Sequence, residues 1–221
     1  MSQTTAVGHR GPWLTPARKR IIGAVFVAAL LVAMILDTRF VPKGSKIAEG
    51  PAAFDPAAYG KKQFPIQQRF ISSHAVDAAV LAAAVKKDQT AAGKKYGVEV
   101  NQGATTVVPV KFSGVVGKVP AAGYTPVKVA GLPHGSKIAV QLGPAITGTD
   151  LRDATGTIQL GQFQNQIQFQ DAGSAINNEL KIVLKRAGAP DLAGQRITVT
   201  GVFELINPEL WNVTPATIKV G

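Results

Sequence analysis

The sequence contains no cysteine and only three histidines among its 221 residues. A chain without cysteine has no disulfide, zinc–thiolate or iron–sulfur site, no thiol nucleophile and no acceptor for a thioether-linked lipid. His74 and His134 lack the spacing of metal ligands, and His9 belongs to the N-terminal basic segment. We therefore expect no metal and no cofactor.

Catalytic and nucleic-acid-binding patterns are missing as well. The glycines of residues 143–156 lack the Gly-Lys-Ser/Thr ending of a phosphate-binding loop, and no glycine–serine elbow of the hydrolase type occurs. Aromatic residues make up 6% of the chain and do not alternate with basic ones, as they do on surfaces that stack bases and neutralise phosphates. The sequence predicts neither an enzyme nor a nucleic-acid-binding protein.

The N-terminal part of the chain combines positive charge with one long apolar run. Residues 1–20 hold four basic and no acidic side chains, and residues 21–36 carry no charge. As a helix this run spans about 24 Å, and Phe40 and Val41 extend it toward the width of a bilayer core. The exit from the run offers no small-x-small cleavage site. We predict a cytoplasmic basic tail over 1–20 and an uncleaved transmembrane anchor over 21–41, a buried core helix being the alternative.

Charge on the two sides of this run favours a cytoplasmic N-terminus. Arg18, Lys19 and Arg20 lie directly beside the run, whereas the basic residues beyond it are more widely spread. This orientation predicts a single-pass protein of the cell membrane whose C-terminal domain is extracytoplasmic. From Ser45 onward the chain keeps 18 basic and 12 acidic residues. Such a basic exterior domain suits an anionic membrane surface or envelope polymer.

The exterior part of the chain has a β-rich α+β pattern. Residues 42–66, rich in Pro, Gly, Lys and Ala, are predicted to be a linker, and residues 67–221 an extracytoplasmic domain. Two helices are expected, one over 73–95 with Ser73 as N-cap and one over 166–186. Strands are expected over 107–112 with 115–119, 127–132, 137–142, 155–160, 195–205 and 216–220. This order predicts a Greek-key barrel of the oligonucleotide/oligosaccharide-binding (OB) type, with a curved antiparallel sheet packed by two helices as the alternative.

Polar side chains are densest in residues 143–156 and at the entry to the second helix. Carboxylates accept hydrogen bonds from sugar hydroxyls, and a guanidinium offers a fixed fork of donors. The candidate ligand-binding residues are Thr149, Asp150, Arg152, Asp153, Asn165, Gln166 and Asn177. The favoured interpretation of Arg152 and Asp153 is a structural clasp that satisfies the groups of a tight loop. The alternative is a pocket for a polar ligand.

The same segment resembles a known family. Residues 141–154 (Gln-Leu-Gly-Pro-Ala-Ile-Thr-Gly-Thr-Asp-Leu-Arg-Asp-Ala), residues 163–167 (Phe-Gln-Asn-Gln-Ile) and Asn177 are similar to the predicted periplasmic lipoproteins of domain-of-unknown-function family 2291. Residues 54–59 (Phe-Asp-Pro-Ala-Ala-Tyr) resemble the start of that family's domain, so the likeness covers about residues 45–221. The resemblance implies a membrane-tethered extracytoplasmic protein whose genes lie beside sugar ABC transporters. It implies no established activity or active site.

The functional hypothesis combines the anchor with the family resemblance. We expect a non-catalytic, membrane-anchored accessory of a carbohydrate ABC uptake system, whose partner is the transporter permease or a solute-binding protein. Because no cysteine follows the apolar run, the tether rests on the helix itself. The alternative is a small-ligand or glycan-binding module using residues 148–166, and a third class is a structural protein of the envelope.

Overall fold

The computed structural model describes residues 16–38, 54–120 and 123–221. The chain divides into two compact units, the second of which begins at Phe54. Helix α1 (Pro16–Asp37) belongs to the first unit. Within it, Ala17–Asp37 has a mean hydropathy of 2.3 and contains no buried residue, so its length and composition suffice to cross a membrane. The predicted apolar run over 21–36 lies inside α1, whereas residues 39–41 of the predicted anchor lie outside the described residues.

The second unit is built around a closed five-stranded barrel. Its strands are β3 (Thr105–Val116), β4 (Tyr124–Val129), β5 (Lys137–Gln141), β6 (Arg196–Glu204) and β7 (Leu210–Val220). Antiparallel pairs join β3 to β4, β4 to β5, β6 to β7 and β3 to β6, and a parallel pair joins β5 to β7, so the ladder closes on itself. The short strands β1 (Val76–Asp77) and β2 (Val98–Val100) add to β3. The predicted OB-type barrel is confirmed.

Alternation of side chains along the strands fills the barrel. In β6, Ile197 and Val199 are fully buried while Arg196 and Thr198 face solvent. Further along the barrel the rings of Phe203 and Trp211 stack with centroids 4.7 Å apart. Gly114 lies within β3, and a Cβ atom there would lie 2.6 Å from the carbonyl oxygen of Lys128. The close β3–β4 approach therefore requires glycine at this position.

Helix α2 (Pro56–His74) precedes the barrel in the chain. Asp55 caps its N-terminus by accepting hydrogen bonds from the amides of Ala57 and Ala58 at 3.0 and 3.1 Å, and proline suits the first helical turn. The predicted linker over 42–66 is therefore wrong from Pro56 onward, and residues 42–53 lie outside the described residues. The folded unit begins at Phe54, not at residue 67. Composition suggested a linker, but the Asp-Pro pair marked a helix start.

Two further corrections concern the expected elements. The single helix over 73–95 is divided: Ser73 lies in the last turn of α2, where its hydroxyl donates to the Phe70 carbonyl, and α3 (Ala78–Lys87) and α4 (Gln89–Tyr96) follow. Asp77 and Asp88 each cap a new helix, which explains the breaks. The strand expected over 155–160 is wrong, because the segment forms turns and a short 3-10 helix over Leu160–Gln162.

Helices α5 (Asp150–Asp153) and α6 (Gln166–Arg186) lie between β5 and β6 in the chain. The bounds predicted for α6 are confirmed. Gly188, with φ of 66°, follows its C-terminus, as expected where a helix ends in a left-handed residue. Helices α2 and α6 pack so closely that a Cβ atom on Gly60 would lie 2.6 Å from the carbonyl oxygen of Ala175. This pair of helices, together with β6 and β7, surrounds α5.

Candidate functional site

The short helix α5 gathers three charged side chains in a buried position. Asp150, Arg152 and Asp153 are 8%, 6% and 5% exposed. Charged groups are rarely buried to this extent unless they are paired or hydrogen-bonded. The segment identified by its polar residues is therefore an interior part of the fold, and each of its charges must be accounted for by a neighbour.

Arg152 and Asp153 form a two-pronged ion pair. The Arg152 Nε donates to Oδ1 of Asp153 at 2.7 Å, and Nη2 donates to Oδ2 at 3.0 Å. The hydroxyl of Thr149 also donates to Oδ2, at 2.6 Å. This arrangement, called the clasp below, occupies both carboxylate oxygens of Asp153. Its geometry is that of the structural clasp expected from the sequence.

An aromatic ring covers the guanidinium of the clasp, and further rings pack behind it. The Cζ atom of Arg152 lies 3.8 Å from the centroid of the Phe169 ring, a cation–π distance. Phe163 packs against Phe169 with ring centroids 5.5 Å apart and against Tyr59 at 5.6 Å. Burial raises the pKa of Tyr59, and the nearby charge of Arg152 partly opposes that rise. The Phe169 ring covers one face of the guanidinium, and this less aqueous surrounding strengthens the attraction between Arg152 and Asp153.

Asp150 has a different environment, with a hydroxyl and not a cation as its partner. The Thr214 hydroxyl donates to Oδ2 of Asp150 at 2.8 Å. Burial raises the pKa of Asp150 to about 7, the Thr214 hydrogen bond opposes this, and the negative charges of Glu204 and Asp153 add to it. Near neutral pH this carboxyl therefore exists in both protonation states.

A chain of hydrogen bonds extends from Asp150 across the barrel strands. Nε2 of Gln141 donates to the Thr214 hydroxyl at 3.1 Å and to the Tyr124 hydroxyl at 2.8 Å. Burial, followed by the charge of Asp150, raises the pKa of the Tyr124 phenol. Asp150, Tyr124 and Glu204 also line a pocket of about 280 Å³ together with residues of the β6–β7 turn. The titrating carboxyl thus reaches an accessible cavity.

Two amides hold the loop that leads into α5. Gln141 accepts from the Thr147 amide and donates to the Thr147 carbonyl, both at 2.9 Å. Nδ2 of Asn177, on α6, donates to the Gly148 carbonyl at 2.9 Å. This contact pins the loop to α6. The loop is therefore fixed to both the barrel and the helix that covers it.

The structure brings together five of the seven candidate residues named from the sequence: Thr149, Asp150, Arg152, Asp153 and Asn177. It does not bring Asn165 and Gln166 into this cluster. Asn165 is the N-cap of α6, accepting from the Gln168 amide at 3.0 Å, and Gln166 is exposed at the helix start. A capping role was readable from its position directly before the helix.

Sequence reasoning missed three members of the hydrogen-bond chain, Tyr124, Gln141 and Thr214. They come from three different strands, and only their pairing in the barrel brings them to Asp150. The one available signal was Gln141, a polar residue at the end of a strand whose alternate positions are apolar. Its side chain is 1% exposed, so it required hydrogen-bond partners.

A cavity with a volume of about 610 Å³ lies next to the clasp. One side is formed by Asp153, by residues of the 156–161 segment and by Phe169, and the other by residues 99–103. Asn101 and Gln102 there adopt φ values of 52° and 59°, which side-chain-bearing residues adopt at an energetic cost. Within residues 16–38, 54–120 and 123–221, no group of three or more His, Cys, Asp or Glu side chains could hold a metal ion.

The barrel and its covering helix define the class of protein as an OB fold. A crystal structure of an OB-fold protein from Thermotoga maritima matches the chain with a TM-score of 0.63, covering 76% of this chain and 99% of that one. The two sequences are 18% identical, so the likeness shows the fold alone. No curated protein matches the chain.

The family follows from a second comparison. The model of a family described as "Predicted periplasmic lipoprotein (DUF2291)" matches residues 25–219, and the chain belongs to that family. The family resemblance expected from the sequence is thereby confirmed. The family name describes a lipoprotein, yet none of these 221 residues is a cysteine that could accept a thioether-linked lipid.

Proposed function

We propose that the chain is a single-pass, membrane-anchored extracytoplasmic accessory protein of a carbohydrate uptake system, acting by contact and not by turnover of a substrate. The observation that carries the proposal is α1, an apolar helix whose residues from Ala17 to Asp37 are all exposed, on the same chain as a folded barrel. Membership of a periplasmic family supports the exterior position. The basic residues Arg18 to Arg20 beside the apolar run favour a cytoplasmic N-terminus.

The pairing within the clasp supports a non-catalytic role for it. A general acid, a general base or a nucleophile needs a proton or lone pair available to the substrate. Both oxygens of Asp153 are engaged by Arg152, and Thr149 adds a further donor. The carboxylate is therefore committed to holding the loop in place.

The tether gives contact a physical advantage. A domain confined near a membrane meets membrane-bound partners at a raised effective concentration, so a weak interface suffices. The basic composition of the chain from Ser45 onward adds attraction to an acidic partner or lipid headgroup. That part of the attraction is screened by salt over a Debye length of about 8 Å at physiological ionic strength. The carbohydrate part of the proposal rests on the family resemblance.

Crosslinking in intact host cells tests the contact. The full chain and a control chimera, in which an unrelated soluble domain replaces residues 54–221 behind the same residues 1–53, are expressed at equal levels. We expect a permease or solute-binding protein of a sugar transporter to be enriched with the full chain. Equal recovery of these proteins with both chains would contradict the accessory role.

The anchor has a test of its own, since it does not depend on any partner. Intact-mass measurement of membrane-extracted protein should give a chain that retains α1. Protease added outside the cytoplasmic membrane should degrade the barrel while sparing the N-terminal residues. A mature chain that begins near residue 38 would contradict the anchor.

A second candidate function is a small-ligand or glycan-binding module using residues 148–166. The 610 Å³ cavity between the 156–161 segment and residues 99–103 favours it, because its volume admits more than a single sugar ring. The exposed Glu99 in its lining is suited to accept sugar hydroxyls. A thermal-shift survey of neutral and acidic sugars should then find a ligand that raises the melting temperature of the wild type. The rise should be smaller in Glu99→Gln. The matched variant Glu209→Gln, on the β6–β7 turn, should leave the shift unchanged.

A further inference from the structure

One outer face of the barrel turns basic side chains to solvent. The face is formed by β4, β3, β6 and β7, which neighbour one another in that order. Each of these strands contributes one exposed basic residue, and the four are Lys128, Lys111, Arg196 and Lys219. These four residues are called the basic face below. None of them lines the cavity beside the clasp or the pocket at Asp150.

The register of the strands arranges the basic face around a pair of hydroxyl groups. Ser113 on β3 pairs with Thr198 on β6, and the two hydroxyl oxygens lie 2.8 Å apart. Lys111 and Arg196 lie two positions away along the same two strands. Lys219 on β7 pairs directly with Thr198, and the β4 lysine is a diagonal neighbour of Ser113. With strands about 4.8 Å apart and alternate residues about 7 Å apart, the four cations surround the hydroxyl pair.

The positive charges of the basic face are not neutralised by the fold. Within the part of the chain that the structure describes, none of the four residues forms an ion pair. Asp77 of β1 pairs with Lys111, but its carboxylate accepts from the amides of Ala79 and Val80 and so caps α3. The basic face is therefore an unopposed counterpart for negative charge outside the domain.

The exposure of the four side chains favours an extended partner over a single small anion. All four project from the outside of the barrel, so water competes with any one anion for each cation. An extended anionic surface meets the four cations together, and the contributions of basic residues near such a surface accumulate. The Ser113 and Thr198 hydroxyls bond to each other, which leaves one hydroxyl hydrogen of the pair for an oxygen of the partner.

The source of such a surface follows from the proposed anchor. If α1 crosses a membrane, residues 39–53 can span at most roughly 50 Å when fully extended. A folded unit the size of residues 54–221 is expected to be about 40 Å across. The connection is therefore long enough for the basic face to turn toward the lipid headgroups, and confinement by the anchor keeps those headgroups at a high effective concentration.

We propose that the basic face docks on the headgroups of anionic phospholipids, with Lys111, Lys128, Arg196 and Lys219 as its contacts to phosphate oxygens. The inference rests on the membrane anchoring proposed above. Docking gives the barrel a second attachment to the membrane and fixes which of its sides remain free for a partner. Because the attraction is electrostatic, it weakens as the salt concentration rises.

Acetylation of lysines in the full chain tests the docking. The chain is reconstituted in nanodiscs of phosphatidylcholine alone or of equal parts phosphatidylcholine and phosphatidylglycerol, and peptide mass spectrometry gives the acetylation rate of each lysine. We expect Lys111, Lys128 and Lys219 to react roughly fivefold more slowly, or slower still, in the anionic nanodiscs. The exposed Lys86 and Lys87 of α3 are internal references whose rates should change much less. At about 1 M salt, where the Debye length is about 3 Å, the protection should disappear.

A variant at the one arginine of the basic face leaves all three reporter lysines in place. Arg196→Gln removes one basic contact and should lower the protection of the three lysines by up to roughly fivefold. Arg69→Gln removes the same charge from an exposed position of α2 and should leave the protection unchanged.

Three results would overturn the inference: equal rates for the three lysines in both nanodiscs, protection that Arg196→Gln leaves unchanged, and equal protection of Lys86 and Lys87, which would reflect a diffuse attraction only. Protection seen in intact cells but absent from anionic nanodiscs would assign the face to an acidic protein or polymer and would equally contradict the lipid partner. Intact-mass measurement of the nanodisc samples separates the two proposals. Loss of α1 would contradict the anchor, whereas a retained α1 without lysine protection would contradict the docking alone.

Discussion

Two carboxylates on one short helix have opposite neighbours. Asp150 and Asp153 are three residues apart on α5 and are 8% and 5% exposed. Asp153 lies 2.7 Å from the guanidinium of Arg152. Asp150 instead accepts a hydrogen bond from the Thr214 hydroxyl and lies near the negative charge of Glu204. Burial is nearly equal at the two positions, so it cannot explain their difference. What differs is the partner: Asp153 has a guanidinium beside it, whereas Asp150 has a hydroxyl and a nearby negative charge.

The comparison separates a structural group from a responsive one. The ion pair at Asp153 fixes the loop, because each partner would be costly to bury alone. Asp150 can change protonation near neutral pH and lines an accessible pocket. Any response of this region to pH or to a ligand is therefore expected at Asp150. Substitutions at the two positions test this distinction.

The largest expected effect comes from Asp153→Ala. Removal of the carboxylate leaves the Arg152 guanidinium buried without its partner and should lower the free energy of unfolding by roughly 3–5 kcal/mol. Denaturant unfolding of the full chain, followed by the fluorescence of the buried Trp211, measures this loss. Asp171→Ala, at an exposed position of α6, is the matched control and should change stability by no more than about 0.5 kcal/mol. A loss as small as that of the control would show that the clasp does not hold the loop.

The second prediction concerns the pH dependence produced by Asp150. Its pKa rises from 3.8 to about 7 on folding, so its contribution to stability is greatest below about pH 4 and is lost as the pH rises to about 7. The slope of this loss is about 1.4 kcal/mol per pH unit. The side chain of Asp150→Asn cannot ionise. The free energy of unfolding of this variant should therefore exceed that of the wild type by roughly 2–4 kcal/mol at pH 8, with little difference at pH 4. Unfolding curves at pH 4, 6 and 8 measure the difference, and parallel pH profiles for the two proteins would contradict a buried carboxyl with a raised pKa.

A smaller effect is expected from Thr214→Val, which keeps the side-chain shape and removes the hydroxyl. The ionised form of Asp150 loses its hydrogen-bond donor. The free energy of unfolding should therefore fall by about 2 kcal/mol at pH 8 and by less at pH 5, where the carboxyl is mostly protonated. The pH midpoint of the Asp150 titration, monitored by NMR of the carboxyl carbon, should move to higher pH. Thr217→Val, on the same strand, is the control. A cost independent of pH would show that the hydroxyl serves Gln141 and not Asp150.

The smallest predicted effect is that of Asn177→Ala. The substitution removes one hydrogen bond, from Asn177 to the Gly148 carbonyl, and should lower the free energy of unfolding by about 1 kcal/mol. Amide hydrogen exchange should increase in residues 143–149 while the barrel strands remain protected. Asn178→Ala, whose side chain is exposed, controls for the general effect of alanine on α6. Unchanged exchange in the loop would mean that Gln141 alone fixes it.

Local patterns predicted the parts of the fold that depend on neighbouring residues. The apolar spacing and the basic C-terminal turn gave the bounds of α6, and alternation gave most of the barrel strands. Arg152 and Asp153 were recognisable as partners because they are adjacent in the chain. Composition failed at Pro56, where glycine, lysine and alanine resembled a linker although Asp55 and proline begin a helix.

The remaining features depend on contacts between distant parts of the chain. Thr214 lies 64 residues from Asp150 and Gln141 lies 73 residues from Thr214, so no local pattern joins them. Their meeting requires the parallel pairing of β5 with β7, which is a property of the closed barrel. The raised pKa of Asp150 could therefore be derived only after the strands were paired.

Sugar uptake in the native host tests the central claim, that a membrane-tethered barrel assists carbohydrate uptake by contact. A deletion strain is complemented with the full chain, with a chain whose α1 is replaced by an unrelated apolar helix, and with a secreted form lacking α1. Uptake of labelled pentoses, hexoses and disaccharides is then measured. We predict that deletion lowers the uptake of at least one sugar, and that both anchored forms restore it better than the secreted form at equal expression. Unchanged uptake of every sugar after deletion would contradict the account.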